Sequence, residues 1–132
     1  MIWSNARNKI WNIDDGLNIK ELKTYVPAAD QELSRAFYTD LGFECIEAWG
    51  GNYDCRLGNA LFRLQNYYNK QWAENFMMQF DVDDARAWYE HVKPIIDSGR
   101  YPSARISEPE HHDGATIVHV TDPSGVLLIF IQ

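Results

Sequence analysis

Ile117-Val118-His119-Val120-Thr121-Asp122-Pro123-Ser124-Gly125-Val126-Leu127-Leu128-Ile129-Phe130-Ile131 sets two β-rich runs on either side of Asp-Pro-Ser-Gly. Proline suits the first central position of a type I turn, and glycine the left-handed position that follows. A type I turn closed by a glycine bulge makes a three-residue hairpin loop. Asp122 then faces Val126, and the register follows: Thr121 opposite Leu127, His119 opposite Ile129, Ile117 opposite Ile131. His119 and Ile129 therefore share one face of the sheet.

Working outward, the chain has 132 residues, enough for one moderate core. Hydrophobic residues make up 45% and aromatic residues 14%, so aromatics remain for a pocket after the core is filled. The formal net charge of −7 disfavours nucleic acid and anionic membrane as partners and suits cationic ligands, although acidity also serves solubility alone. Two cysteines, Cys45 and Cys55, are too few for a disulfide framework. No apolar run reaches membrane-spanning length, and residues 1–9 lack the apolar stretch of a signal peptide. The expectation is a soluble cytoplasmic protein with reduced thiols. A bridge between the cysteines, which fall in neighbouring predicted strands, is possible but not favoured.

Residues 1–19 read as a lead-in whose Trp3, Ile10 and Trp11 dock on this domain or on a partner subunit. Residues 20–27 read as a strand with Leu22 and Val26 on one face. Asp30 is placed to cap a helix with the apolar stripe Leu33, Ala36, Phe37 and Leu41, stopped by Gly42. Strands are expected at about 43–49, 52–57 and 60–66, joined by turns at Gly50-Gly51 and Gly58-Asn59. Residues 67–73 read as a polar, aromatic connection. The order then repeats. A strand at 75–82 leads to a helix capped by Asp83 or Asp84 and carrying Ala85, Trp88, Val92 and Ile96, which Pro94 should kink or end. A short strand near 103–106, a loop at 107–114 and the closing hairpin complete an α+β pattern of β-α-β-β-β, twice. Arg35-Ala36-Phe37-Tyr38 and Arg86-Ala87-Trp88-Tyr89 sit at matching places in the two helices.

Four pieces in this order resemble the glyoxalase, bleomycin resistance protein and extradiol dioxygenase (vicinal oxygen chelate) superfamily: Pro27-Ala28-Ala29-Asp30, Ala36-Phe37-Tyr38-Thr39-Asp40-Leu41-Gly42-Phe43, Phe80-Asp81-Val82-Asp83-Asp84 and Asp122-Pro123-Ser124-Gly125-Val126-Leu127-Leu128. The resemblance covers about residues 20–132 and implies modules at about 20–66 and 74–132. Each module curls a mixed sheet into a partial barrel around a cavity, with helices outside. Small members form homodimers.

Helix-facing strand positions should be the more apolar. The even-numbered residues fit: Leu22 and Val26, Phe62 and Leu64, Phe76 to Val82, Val118 and Val120, Leu128 and Phe130. The odd-numbered set is left for the cavity: Lys23 and Tyr25; Leu61, Arg63 and Gln65; Met77 and Gln79; Ile117 and His119; Leu127, Ile129 and Ile131. By the resemblance, the metal enzymes of the family draw ligands from four inner-face positions. Counted from Asp30, Asp83 and Asp122, these fall at Lys23, Met77 and Ile129, with the fourth near Arg63. Divalent metals want His nitrogen or carboxylate oxygen. The family metal site is therefore expected to be missing, and no cofactor is expected.

His119 is the one histidine expected to point inward, as a ligand contact, a general base or a strand histidine bonded to a neighbour. Arg63, with Gln79 and Lys23, either holds a carboxylate or phosphate, or these side chains pair with Glu21, Asp81 or Glu47, or lie at the rim. Glu108-Pro109-Glu110-His111-His112-Asp113 has a metal-binding composition but lacks the spacing to converge ligands, and reads as a solvated loop over the cavity mouth. Trp49, Tyr53, Tyr67, Tyr68 and Trp72 either stack on a flat ligand or pack in a core or dimer contact. The expected ligand contacts are Tyr25, Trp49, Arg63, Met77, Gln79, His119 and Ile129. The reading is a small-molecule binding and sequestration protein of the bleomycin-resistance-like branch, without metal or chemistry. The alternative is a metal-independent lyase or isomerase using His119 with Arg63 or Gln79.

Overall fold

The computed structural model describes residues 16–132. The lead-in residues Trp3, Ile10 and Trp11 lie outside the described residues. Leu17 and Ile19, which follow them, are exposed.

The first module runs β1 (Tyr25–Val26), α1 (Gln31–Leu41), β2 (Glu44–Ala48), β3 (Asn52–Leu57) and β4 (Ala60–Leu64). Its sheet order is β1-β4-β3-β2, with β1 parallel to β4 and the other pairs antiparallel. After a short helix, α2 (Lys70–Glu74), the second module repeats the order with one short strand more, β7: β5 (Met77–Asp81), α3 (Ala85–Asp97), β6 (Arg105–Ile106), β7 (Glu110–His112), β8 (Ala115–Thr121) and β9 (Leu127–Ile131). Its sheet order is β5-β9-β8-β6, with β7 on the same edge of β8 beyond β6. The architecture is the expected α+β pair of βαβββ modules, with two open mixed sheets that do not close into a barrel.

Local chemistry accounts for the elements. Asp30 and Asp84 sit in extended conformation, and their carboxylates accept the backbone N–H of Leu33 and Ala87 at 3.0 Å each. Gly42 ends α1 at φ 117°, where a side chain would be strained. The closing hairpin has the expected register throughout, with Thr121, His119 and Ile117 opposite Leu127, Ile129 and Ile131. Asp122 N–H donates to Val126 O at 2.9 Å, and Gly125 stands at φ 98°.

Four expectations need correction. The first strand is only two residues long, so Leu22 lies outside the ladder, beyond the reach of the helix layer, and is 79% exposed rather than helix-facing. The buried face of α1 is Ser34, Phe37, Tyr38 and Leu41, a helical i, i+3, i+4, i+7 set rotated from the expected stripe. The connection at 67–73 contains helix α2, capped by Asn69, whose side chain accepts the Trp72 N–H at 2.9 Å. Residues 110–115 form a hairpin rather than a loop: Asp113 (φ 49°) and Gly114 (φ 81°) are both left-handed, which suits a two-residue turn of type I′. Helix α3 runs on through Pro94 to Asp97. Pro94 removes the N–H that would bond the Glu90 carbonyl, but both residues are exposed, so water can take that carbonyl.

The core joins the modules. Tyr38 on α1 donates its hydroxyl to Asp122 at 2.6 Å, and Ser34 meets Ser124 at 3.2 Å. Ala29 N–H donates to the Ser124 hydroxyl at 2.9 Å. The closing turn of the second module thus seats on the helix of the first. Phe37 against Tyr101 and Phe43 against Phe80, with centroids 5.2 and 6.0 Å apart, continue the joint in edge-on and tilted aromatic pairs.

Candidate functional site

The odd-numbered residues of β5, β8 and β9, with Arg105 and Glu110 at the edge, form three rows across the inner face of the second sheet. Paired register sets Met77, Leu127, Thr121 and Arg105 in one row, and Gln79, Ile129 and His119 in the next. Asp81, Ile131, Ile117 and Glu110 make the third. The even-numbered partners Val118, Val120, Leu128 and Phe130 are buried on the other side, as expected. The inner face is thus an apolar centre with polar ends, open enough that Met77 is 63% exposed.

His119 lies in the middle row. Ser107 brackets its backbone: His119 N–H donates to the Ser107 hydroxyl at 3.1 Å, and Ser107 N–H donates to His119 O at 2.9 Å. The imidazole is half-buried, and among the described residues no side chain bonds it. Gln79 donates its amide to Asp81 at 3.0 Å.

The first sheet presents a different inner face. Tyr25, Arg63, Asp54 and Ile46 form its central row. Arg63 donates from Nε to Asp54 at 2.8 Å and from Nη2 at 3.2 Å, and its Nη1 reaches the Tyr25 hydroxyl at 3.4 Å. Lys23 donates to the second Asp54 oxygen at 2.8 Å. The Arg63 hydrogen bonds hold the Asp54 carboxyl below the ordinary carboxylate range, against the opposing effect of burial, and Lys23 adds to the lowering. In turn, Asp54 and then Tyr25 hold the Arg63 guanidinium above its ordinary value. Arg63 is therefore already paired, and its partner is an acid the sequence reading did not name. The signal was present: the Gly58-Asn59 turn sets Leu57 opposite Ala60, and counting back puts Asp54 opposite Arg63.

The structure thus brings Tyr25 and Arg63 together on one sheet, and Gln79, Ile129, His119 and Met77 on the other. It sets Trp49 apart in the turn after β2, 79% exposed. Clefts lie between the modules. One, about 600 Å³, is walled by Phe43, Phe80, Trp88 and Phe130, with Gln79, Asp81 and Asp83 at its rim. Beside it a cleft of about 550 Å³ is lined by Leu41, Leu57, Trp88 and His91. Another, about 350 Å³, runs between β4 and β5 past Leu61, Met77 and Gln79. Gln79 borders the first and the last of these.

The positions that the resemblance gives to a metal, Lys23, Arg63, Met77 and Ile129, hold an ammonium, a guanidinium, a thioether and an alkyl side chain, with both cations tied to Asp54. This donor set does not fit a divalent ion. Among the described residues, no three His, Cys, Asp or Glu side chains converge as a metal site. In the 108–113 segment, Glu108 accepts from the Tyr89 hydroxyl at 2.9 Å, and His111 Nδ1 lies 3.0 Å from the Thr116 hydroxyl.

The chain matches the family model of the Glyoxalase/Bleomycin resistance protein/Dioxygenase superfamily over residues 21–130, and it belongs to that superfamily. Among solved structures it is similar to a bleomycin resistance determinant encoded on the transposon Tn5, at 27% identity with a TM-score of 0.68, covering 86% of this chain and 98% of that one. A bleomycin-binding protein complexed with bleomycin is similar at 25% identity with a TM-score of 0.69, over the same shares of the two chains. The bleomycin-binding protein from Streptomyces verticillus, at 20% identity over 86% of this chain and 97% of that one with a TM-score of 0.69, shares the fold. No curated protein matches the chain.

Proposed function

We propose that this protein binds and sequesters a small, partly aromatic molecule, as its bleomycin-binding neighbours bind theirs, in a metal-free cavity and without chemistry. One observation carries the reading: the inner-face positions that would serve a metal enzyme hold Lys23 and Arg63 clamped on Asp54, together with Met77 and Ile129. A cation there would meet two like charges. The likeness to a bleomycin resistance determinant and to a bleomycin-binding protein supports the ligand class. Tyr25, Trp49, Arg63, Met77, Gln79, His119 and Ile129 are the proposed contacts.

The working unit is a homodimer in the cytoplasm. The second sheet leaves Leu127, Ile129, Ile131 and Ile117 half-exposed around Met77 on one side of a single chain. A second copy covering that face would turn an open sheet into a cavity wall. No helix among the described residues is long and apolar enough to cross a membrane.

The alternative, a metal-independent lyase or isomerase, draws on the open imidazole of His119 between Ile129 and Ser107. Metal analysis with a thermal-shift screen against glycopeptide antibiotics, aromatic acids and electrophilic metabolites separates the two. Binding predicts a large shift, no bound metal and unchanged ligand. Turnover that disappears in His119→Ala while stability is kept would establish the enzyme instead.

A further inference from the structure

The first module carries a feature unrelated to ligand binding. β2 and β3 set Cys45 directly opposite Cys55. Opposed residues of an antiparallel pair have Cα atoms about 4.5–5.5 Å apart, inside the span of roughly 4.4–6.8 Å that disulfides use, so the spacing of the pair suits a bond. Both thiols are free.

The two are not equivalent. Cys55 is fully buried, in register with Phe62 on its other side. Cys45 is half-buried at the sheet edge, beneath α1. Arg35 on that helix places its guanidinium 4.9 Å from the Tyr53 ring and donates from Nη2 to Glu32 at 3.0 Å. Its Nε is buried and has no hydrogen-bond partner among the described residues. A guanidinium charge near a thiol stabilises its thiolate. In keeping with this, the neighbouring Cys55 thiol, then Thr39 and the Arg35 charge, hold the Cys45 thiol below its ordinary value against the opposing effect of burial. The neighbouring Cys45 thiol and then burial push the Cys55 thiol up.

We propose that Cys45 and Cys55 form a dithiol oxidised by hydroperoxides, with Cys45 the attacking sulfur and Cys55 the resolving one. The Cys45 thiolate attacks the distal peroxide oxygen and the O–O bond breaks. Sulfur keeps the OH as a sulfenic acid, and the other oxygen leaves as alcohol (water, for hydrogen peroxide) after taking up the proton Cys45 gave up. The Cys55 sulfur then attacks the Cys45 sulfur. The S–S bond forms, the S–O bond breaks, and hydroxide departs as water with the Cys55 proton. Two thiols lose two electrons in all, and the peroxide gains them.

The test treats the full chain with a small excess of hydrogen peroxide, then alkylates it under denaturing conditions and weighs it. The expected result is loss of both alkylatable thiols, an intact mass lower by two hydrogens, recovery with dithiothreitol, and no disulfide-linked dimer. Before oxidation, Cys45 should alkylate at least about tenfold faster than Cys55 in the folded protein. In Cys55→Ser, Cys45 should be trapped by dimedone as its sulfenic acid. Two free thiols after peroxide, a disulfide found only between chains, or Cys45 driven to sulfinic acid in the wild type would each overturn the proposal. The wild-type mass decides the matter even if the serine variant does not fold.

Discussion

Asp122 is fully buried where the closing hairpin meets α1. Burial raises its carboxyl from an ordinary 3.8 to about 6, although the Tyr38 hydroxyl and the N–H groups of Ser124 and Val126 pull the other way. Between those values the native protein holds a proton that the unfolded chain has lost. Stability from this group is therefore greatest below pH 4 and falls as pH rises to about 6. In Asp122→Asn the amide oxygen can still accept from Ser124 and Val126. Urea unfolding at pH 5 and pH 7 should show a fall of about 1 kcal/mol in the wild type that is absent from the variant. Ligand contact at His119 is a second matter of single residues: His119→Ala should weaken small-molecule binding about tenfold, or roughly 1.4 kcal/mol by calorimetry, with little change in Tm. Legibility differed between such residues. The partnership of His119 with Ile129 followed from one turn, and that of Asp54 with Arg63 was countable from another. The Tyr38–Asp122 bond spans 84 positions, and no local pattern in the chain relates the two.

Elements were legible where one physical signal dominated. Both long helices carry an acidic N-cap, the strands of the closing hairpin alternate cleanly, and Gly42 marks the end of α1. A Cβ added at Gly42 would meet only Leu57 at 3.7 Å, an ordinary contact, so the cost of Gly42→Ala is conformational. Chemical denaturation should show a loss of about 1–2 kcal/mol for that variant. Elements were lost where two signals competed. The Asp113-Gly114 turn is a strong hairpin marker, but it stands beside Glu110, His111 and His112, whose composition suggests a polar loop. Helix α2 has the cap Asn69 but only five residues, too few for an apolar period to declare itself. β1 starts late because a strand persists only where it finds a ladder, and β4 supplies backbone partners only near its end.

Across the whole molecule, the doubled β-α-β-β-β order was legible because each module repeats the same sequence of elements. How the modules seat on one another was not, because that joint is made of side chains from distant elements: Tyr38 and Asp122, Ser34 and Ser124, Phe43 and Phe80. The open second sheet bears on assembly. Light scattering should give a mass near twice the 15.3 kDa chain, and Ile129→Glu should shift it toward one chain. The central claim is binding without metal or reaction. Its most direct test is calorimetric titration of chelator-treated protein with bleomycin, followed by mass analysis of the recovered ligand. Saturable heat, no dependence on added divalent metal, and ligand recovered unchanged are expected. Heat that appears only when a divalent metal is restored, or ligand recovered in altered form, would contradict the claim.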